Sequence, residues 1–327
     1  MALKDNHDAL LLDLDGTVWS GGSAIPYAVE AINGAGVPAV YITNNASRGA
    51  DEVARMLREI GLDAAAGDVL TSAQAALGIA EDHLEPGDAV LVVGADSFRE
   101  LVGAAGYRPV TSADDNPKAV LHGHNPETGW KELSEAALAI QRGAVYLASN
   151  LDTTLPMGRG LMVGNGSMVA AVTSATGVTP RAAGKPEPAM FLQAASALGA
   201  SKPLAVGDRL NTDIAGGVAA GVPTLHVLTG VSGPLALLEA PKEQRPTYIA
   251  DDMRGLDADP SQLVPGPQGG FAARVDGDDI ILSYGDPGAS SIQALRTVLQ
   301  VAWHMDREPE LVRPNSEAAE AATAGWW

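Results

Sequence analysis

Short apolar runs alternate with stretches whose apolar positions recur at helical spacing along most of the 327 residues. The run "ALLLDLD", Ala9–Asp15, reads as a buried strand. A helical pattern follows over Pro26–Gly36, then the run "VPAVYITNN" ending at Asn45, and helical periodicity over Gly49–Gly61 that stops at glycine. Asp88–Ala95, Lys118–Asn125 and Ala144–Asn150 read as further strands, separated by helical patterns at Phe98–Ala105 and Trp130–Gln141. After Gly184 the alternation resumes: a helix at Pro188–Leu198, the strand "PLAVGD", a helix near Thr212–Ala220 and the strand "VPTLHVL". Strands alternating with helices predict an α/β protein built on a mostly parallel sheet covered on both faces. The pattern breaks at Asp257–Gly270, "DADPSQLVPGPQGG", which reads as a linker. Beyond it, a hairpin around Asp276-Gly277 and a helix over Ser290–His304 are expected, with the last residues loose apart from Trp326 and Trp327. No internal repeat is visible.

Composition narrows the classes. The chain contains no cysteine, which excludes disulfides, zinc-thiolate sites and thiol nucleophiles. A net charge of −19 repels nucleic acid and anionic membrane surfaces, so neither is expected as a partner. No apolar run approaches membrane-spanning length and no signal peptide is read, so a soluble cytoplasmic protein is expected. An acidic chain that handles an anionic substrate must gather its few cations locally.

Four segments carry candidate chemistry: "DLDGT" (Asp13 to Thr17), "ITNNASR" (ending the second strand at Thr43), "GKPEPAMF" (with Lys185 just ahead of a helix) and "VGDRLNTDIAGG" (Asp208 and Asp213). Asp13, Thr43 and Asp208 each fall where a strand-like run ends, and parallel sheets collect their chemistry at those ends. Asp13, Asp15 and Asp208 in one crevice would repel one another unless a cation lay among them, and an all-oxygen donor set suits Mg²⁺. Asp13 can then attack phosphorus to form an aspartyl-phosphate, with Asp15 as general acid and base. Thr43, the amides after it and Lys185 can supply donors to the non-bridging oxygens. Asp213, just beyond Asp208, is placed to pair with Lys185.

These segments, in this order, resemble the motifs of the haloacid dehalogenase superfamily of phosphotransferases, from Leu10 to about Met253. The resemblance implies a Rossmann-like doubly wound core with Asp13 as nucleophile, Asp15 as acid/base, Thr43 and Lys185 as phosphate-site residues and Asp213 as supporting acid. It also implies a Mg²⁺ held by Asp13, Asp208 and the Asp15 backbone carbonyl. Roughly 140 residues separate Thr43 from Lys185, enough for an inserted α/β cap. This resembles the branch of small-molecule phosphatases acting on p-nitrophenyl phosphate, phosphoglycolate or glycerol phosphate. The expected organisation is a core over residues 1–72 and 180–258, a specificity cap over 73–179, and a linker with a small α+β extension over 259–327. The extension vaguely resembles part of an N-acetyltransferase, as actinobacterial phosphatases of this branch carry. All motifs precede it, so the chemistry is expected to survive its deletion. Caps of this branch often mediate dimers, which makes a homodimer an expectation.

Substrate contacts are expected from Gly16, Thr43, Asn44, Asn45 and Lys185, and from the cap loop "NLDTTLPMGRGLMVG", which is expected to close over Asp13 and Asp15. That loop offers Asp152, Thr153 and Thr154 for hydroxyls, Leu155 where larger-ring relatives carry His or an aromatic, and Arg159 for an anion. A small polyol phosphate therefore fits better than a nucleotide, with glycerol-3-phosphate ahead of phosphoglycolate or a nucleoside monophosphate. The rival class is a catalytically silent sensor of phosphometabolites. His122 and His124 could form a metal pair but lack a third ligand. "GNGSMV", Gly164–Val169, reads as a helix start that orders the loop. Arg48 and Arg209 are candidate sources of positive potential or plain surface residues, and Trp19 and Ser20 are candidates to face the cap.

Overall fold

The structure, a computed structural model, describes residues 1–157 and 159–326. Trp327, and Gly158 within the expected cap loop, lie outside the described residues. The chain divides into two compact units, one formed by Met1–Val40, Ile60–Leu62 and Ala195–Trp327, the other by Tyr41–Glu59 and Asp63–Ala194.

In the first unit, strands Ala9–Asp13, Pro203–Gly207, Thr224–Val227 and Tyr248–Ala250 lie side by side and parallel. The first strand is buried over Ala9–Leu12, and Pro203–Gly207 is buried throughout, as expected for a sheet covered on both faces. Their carboxyl ends deliver Asp13 and Asp208. The segment after Asp208 opens with a π-helical turn, Leu210–Ile214, before the helix Ala215–Ala219. Such a turn widens the helix by one residue and is frequent at functional sites; here it carries Asp213.

The region read as a linker is packed. Two 3₁₀ turns, Met253–Asp257 and Pro260–Gln262, lead to Leu263, which is buried and whose carbonyl accepts from Ile249 N–H at 2.9 Å. Proline and glycine rule out a regular element there, but they leave the side chains between them free to bury. The tail is ordered as well. Glu317–Thr323 is a helix capped by Ser316, and Trp326 is buried with its indole N–H on Ser291 Oγ at 2.9 Å. The extension consists of the antiparallel pair Phe271–Asp276 and Asp279–Tyr284, the parallel strand Val312–Pro314, and the helices Ser291–Ala302 and Glu317–Thr323. One hydrophobic cluster joins Phe271, Leu282, Leu295, Val298, Leu299 and Trp326 to Leu210, Ile214, Leu237, Leu238 and Ile249. Extension and sheet thus share a core, in which each large apolar side chain contributes about 1.5–3 kcal/mol.

The second unit holds a five-stranded parallel sheet in the order Arg181–Ala182, Val145–Ala148, Ala119–His122, Ala89–Val93, Arg108–Val110. It also holds the end of the strand Ala39–Thr43, paired in parallel with Val69–Thr71. The helix Ser72–Ala80 follows at once, capped by Thr71. Thr154–Met157 and Gly160–Val163 form a hairpin, and the helix Asn165–Thr176 starts at the N-cap Gly164. Cβ atoms at Gly164 and Gly166 would collide with the carbonyls of Asp152 and Leu151. The two glycines let the helix start pack directly on the loop, which accounts for the "GNG" spelling.

Candidate active site

At the end of the first strand the chain turns sharply. The amides of Thr17, Val18 and Trp19 all donate to the Leu14 carbonyl, and Gly16 adopts φ +93°. A residue with a Cβ would be strained at that φ, and the Cβ would stand 2.6 Å from Asp208 Cγ. Trp19, buried, folds back so that its indole N–H donates to Asp15 Oδ1 at 2.9 Å. Its ring is thus the clamp on Asp15, while Ser20 is exposed. Thr17, fully buried, directs its hydroxyl toward Asp13 Oδ2 at 3.4 Å and Asp208 Oδ1 at 3.5 Å, both long contacts.

Asp208 is fully buried and held from the turn "TGVS", Thr229–Ser232. Val231 N–H donates to its Oδ2 at 2.6 Å, Ser232 N–H donates to its carbonyl at 3.1 Å, and Thr229 Oγ1 donates to the Gly16 carbonyl at 2.6 Å. His226 steadies that turn through a 2.9 Å bond between Nε2 and the Ser232 carbonyl, and burial pushes its pKa down to about 4. Asp213 accepts from Arg209 N–H at 3.1 Å.

Asp13, Asp208 and Asp213 each place a carboxylate oxygen within 4.8 Å of the others. An all-oxygen donor set brought this close is of the kind that Mg²⁺ takes. His122 and His124 join no such cluster among the described residues. His122 is instead buried, bonded through Nδ1 to the Tyr146 hydroxyl at 2.9 Å, and desolvation lowers its pKa to about 4.

In the second unit, Thr43 and Lys185 are both buried. Thr43 Oγ1 accepts from Asn45 N–H at 3.1 Å, and Lys185 Nζ donates to the Ile42 carbonyl at 3.2 Å. Asn45 Oδ1 accepts from the amide and hydroxyl of Ser47, closing the loop after the strand. Asp152 Oδ2 accepts from Asn44 Nδ2 at 3.1 Å. Thr153 and Arg159 are exposed and Leu155 is half-buried. Arg48 pairs with Glu52 one helical turn away on an exposed face. The "TGVS" amides and the π turn are parts of the site that sequence reading missed, and Trp19, named there as a candidate to face the cap, has its indole on Asp15.

A model of haloacid dehalogenase-like hydrolases matches residues 10–108, and one of related hydrolases matches residues 182–256. A curated D-glycerol 3-phosphate phosphatase of Mycobacterium tuberculosis is 43% identical over 99% of this chain and 95% of its own length. The chain belongs to the haloacid dehalogenase-like hydrolases. An acid sugar phosphatase of Staphylococcus aureus is 35% identical over 69% of this chain and 88% of its own length. Among solved structures of this family, a glycerol phosphate phosphatase from Mycobacterium tuberculosis in complex with magnesium superimposes with a TM-score of 0.94 at 43% identity, covering 99% of this chain and 98% of that one. The expectations of a haloacid dehalogenase-like fold and of an enzyme stand, and these relatives are phosphatases by name. No helix among the described residues is long and apolar enough to cross a membrane.

Proposed function

We propose that the chain is a Mg²⁺-dependent phosphatase that hydrolyses glycerol 3-phosphate to glycerol and phosphate. The observation that carries the reaction class is the cluster of Asp13, Asp208 and Asp213 beside Asp15 at the strand ends. Support for the substrate is the 43% identity, over nearly the full length, to the mycobacterial D-glycerol 3-phosphate phosphatase. Asp13, Asp208 and the Asp15 backbone carbonyl, with Asp213 beside them, would hold the ion, which when bound offsets the negative charge of carboxylates and phosphate.

In this reading an Asp13 oxygen attacks phosphorus, forming the aspartyl-phosphate bond as the bond to the glycerol oxygen breaks. Asp15 gives its proton to the departing alkoxide. It then takes a proton from the water that attacks the acyl-phosphate, releasing phosphate and restoring Asp13. The Trp19 indole holds Asp15 in place for both transfers. Thr43 and Lys185 supply donors to the phosphoryl oxygens. Pairing of two copies through the cap belongs to the same reading, supported by the strongly exposed Trp130 and Leu161.

Phosphate release from glycerol 3-phosphate, phosphoglycolate, a nucleoside monophosphate and p-nitrophenyl phosphate tests this with Mg²⁺ and with chelator. Parent protein should prefer glycerol 3-phosphate and need the metal, and Asp13→Asn should be inactive with an unchanged circular dichroism spectrum. Activity of Asp13→Asn within tenfold of the parent refutes the nucleophile. A tenfold higher kcat/KM for another ester refutes the substrate alone.

A further inference from the structure

Asn44 lies one residue past Thr43, and its side-chain amide is engaged by protein groups. Its Oδ1 accepts from Lys185 N–H at 2.8 Å, and its Nδ2 donates to the Lys185 carbonyl at 3.0 Å and to Asp152 Oδ2 at 3.1 Å. The amide grips the Lys185 backbone at two points, as a neighbouring strand would. A primary amide has two N–H groups, and here both have acceptors within the protein, leaving no donor for a phosphoryl oxygen. The Asn44 carbonyl is occupied too, accepting from Ser72 Oγ and from Asn150 Nδ2, each at 2.7 Å. The fit is close, since a Cβ at Gly184 would stand 2.7 Å from both Asn44 Oδ1 and the Ser149 carbonyl.

We propose that Asn44 is a positioning residue that registers Lys185 and the cap-loop residue Asp152 against the strand end at Thr43, and that it does not bind substrate. This rests on the phosphatase reading above. Lys185 Nζ already reaches back to the Ile42 carbonyl, two residues before Asn44. Fixing the Lys185 backbone to Asn44 therefore sets where the ammonium stands relative to Thr43. The same amide holds Asp152, so that carboxylate serves as the latch of the cap loop. Loop seating and lysine placement are thereby linked through one side chain.

The test is steady-state kinetics of Asn44→Asp, Asp152→Ala and the double variant on both p-nitrophenyl phosphate and glycerol 3-phosphate, with melting temperatures recorded. Asn44→Asp keeps the shape and the acceptor but removes both N–H donors. Its kcat should fall by about 10- to 10²-fold on both esters alike, the range expected for a misplacement of up to 1 Å, with KM nearly unchanged. The double variant should be no worse than Asn44→Asp alone, because Asp152 acts through Asn44. A rise in KM confined to glycerol 3-phosphate, multiplying losses, or parental kinetics in Asn44→Asp would each overturn the proposal. If Asn44→Asp does not fold, Asp152→Ala on p-nitrophenyl phosphate decides. That ester has no hydroxyl for a carboxylate to bind, so a lowered kcat supports the latch and a parental kcat overturns it. Inactivity of the parent on both esters would refute the phosphatase reading itself, a result visible before any variant is made.

Discussion

Gly230→Ala tests whether the turn "TGVS" sets the place of Asp208. The backbone at Gly230 lies outside the left-handed region, so alanine meets no conformational strain there. The added Cβ would stand 2.7 Å from the Cβ of Asp208 and closer still to its carboxylate. Ordinary carbon contacts fall at about 3.5–4.0 Å, so turn and side chain must part by about 1 Å. That motion also stretches the 2.6 Å bond from Val231 N–H to Asp208 Oδ2. A misplacement of about 1 Å at a reacting centre lowers the rate by roughly 10²-fold, or about 2.7 kcal/mol of barrier. The assay is p-nitrophenyl phosphate hydrolysis across a Mg²⁺ titration, beside calorimetric Mg²⁺ binding to the protein without substrate. Both kcat and Mg²⁺ affinity should drop while circular dichroism is unchanged. Gly233→Ala is the control, since a Cβ there meets nothing within 4 Å. Parental Mg²⁺ binding and kcat in Gly230→Ala, or equal damage in Gly233→Ala, would refute the reasoning.

Two further predictions concern stability. The order of the motifs alone makes the extension dispensable, but the shared core argues otherwise. Deleting residues 271–327 uncovers Leu210, Ile214, Leu237, Leu238 and Ile249, and should give a dye-binding protein without a cooperative melt. A soluble truncation melting within about 5 °C of the parent, a change worth only a kcal/mol or two, would contradict the shared core. His122, fully buried, has its pKa lowered to about 4 by desolvation. Its contribution is intact above the unfolded-state value near 6.5 and is lost as pH falls toward 4, because the unfolded chain takes up the proton first. In urea unfolding, His122 and the similarly buried His226 should each lower the unfolding free energy by roughly 2 kcal/mol by pH 5, so His122→Leu should remove about half of that slope. An equal slope in both proteins would remove His122 as the cause.

Much of this was legible beforehand, and what was not has identifiable causes. The strands Ala9–Asp13, Ala119–His122 and Thr224–Val227 are short apolar runs, and the helix Trp130–Gln141 has one apolar face, so periodicity marks them. The helix Ser72–Ala80 escaped because Ser72, Ala73, Ala75, Ala76, Leu77, Ile79 and Ala80 are all buried, which leaves no polar stripe to set the period. Asp13, Asp15 and Asp208 stood out as acids ending apolar strands. Their supports did not, because a Trp19 indole, a Val231 amide and a π turn act through tertiary closeness that no spacing encodes. Asn44 reads from the sequence as a substrate contact, and its commitment to Lys185 and Asp152 lies across more than 100 residues of chain.

The shared core also bears on how the protein is made. Leu210 and Ile214 bracket Asp213 and pack in the cluster that Phe271, Leu299 and Trp326 complete. During synthesis the Asp208 segment leaves the ribosome well before those residues do. Until then Leu210 and Ile214 lack the part of their core that Phe271, Leu299 and Trp326 supply. The Asp208–Asp213 segment therefore gains its full packing late, although its residues are far from the last to be translated. A ribosome stalled after the sheet is complete would hold a chain with every motif present and part of that core missing.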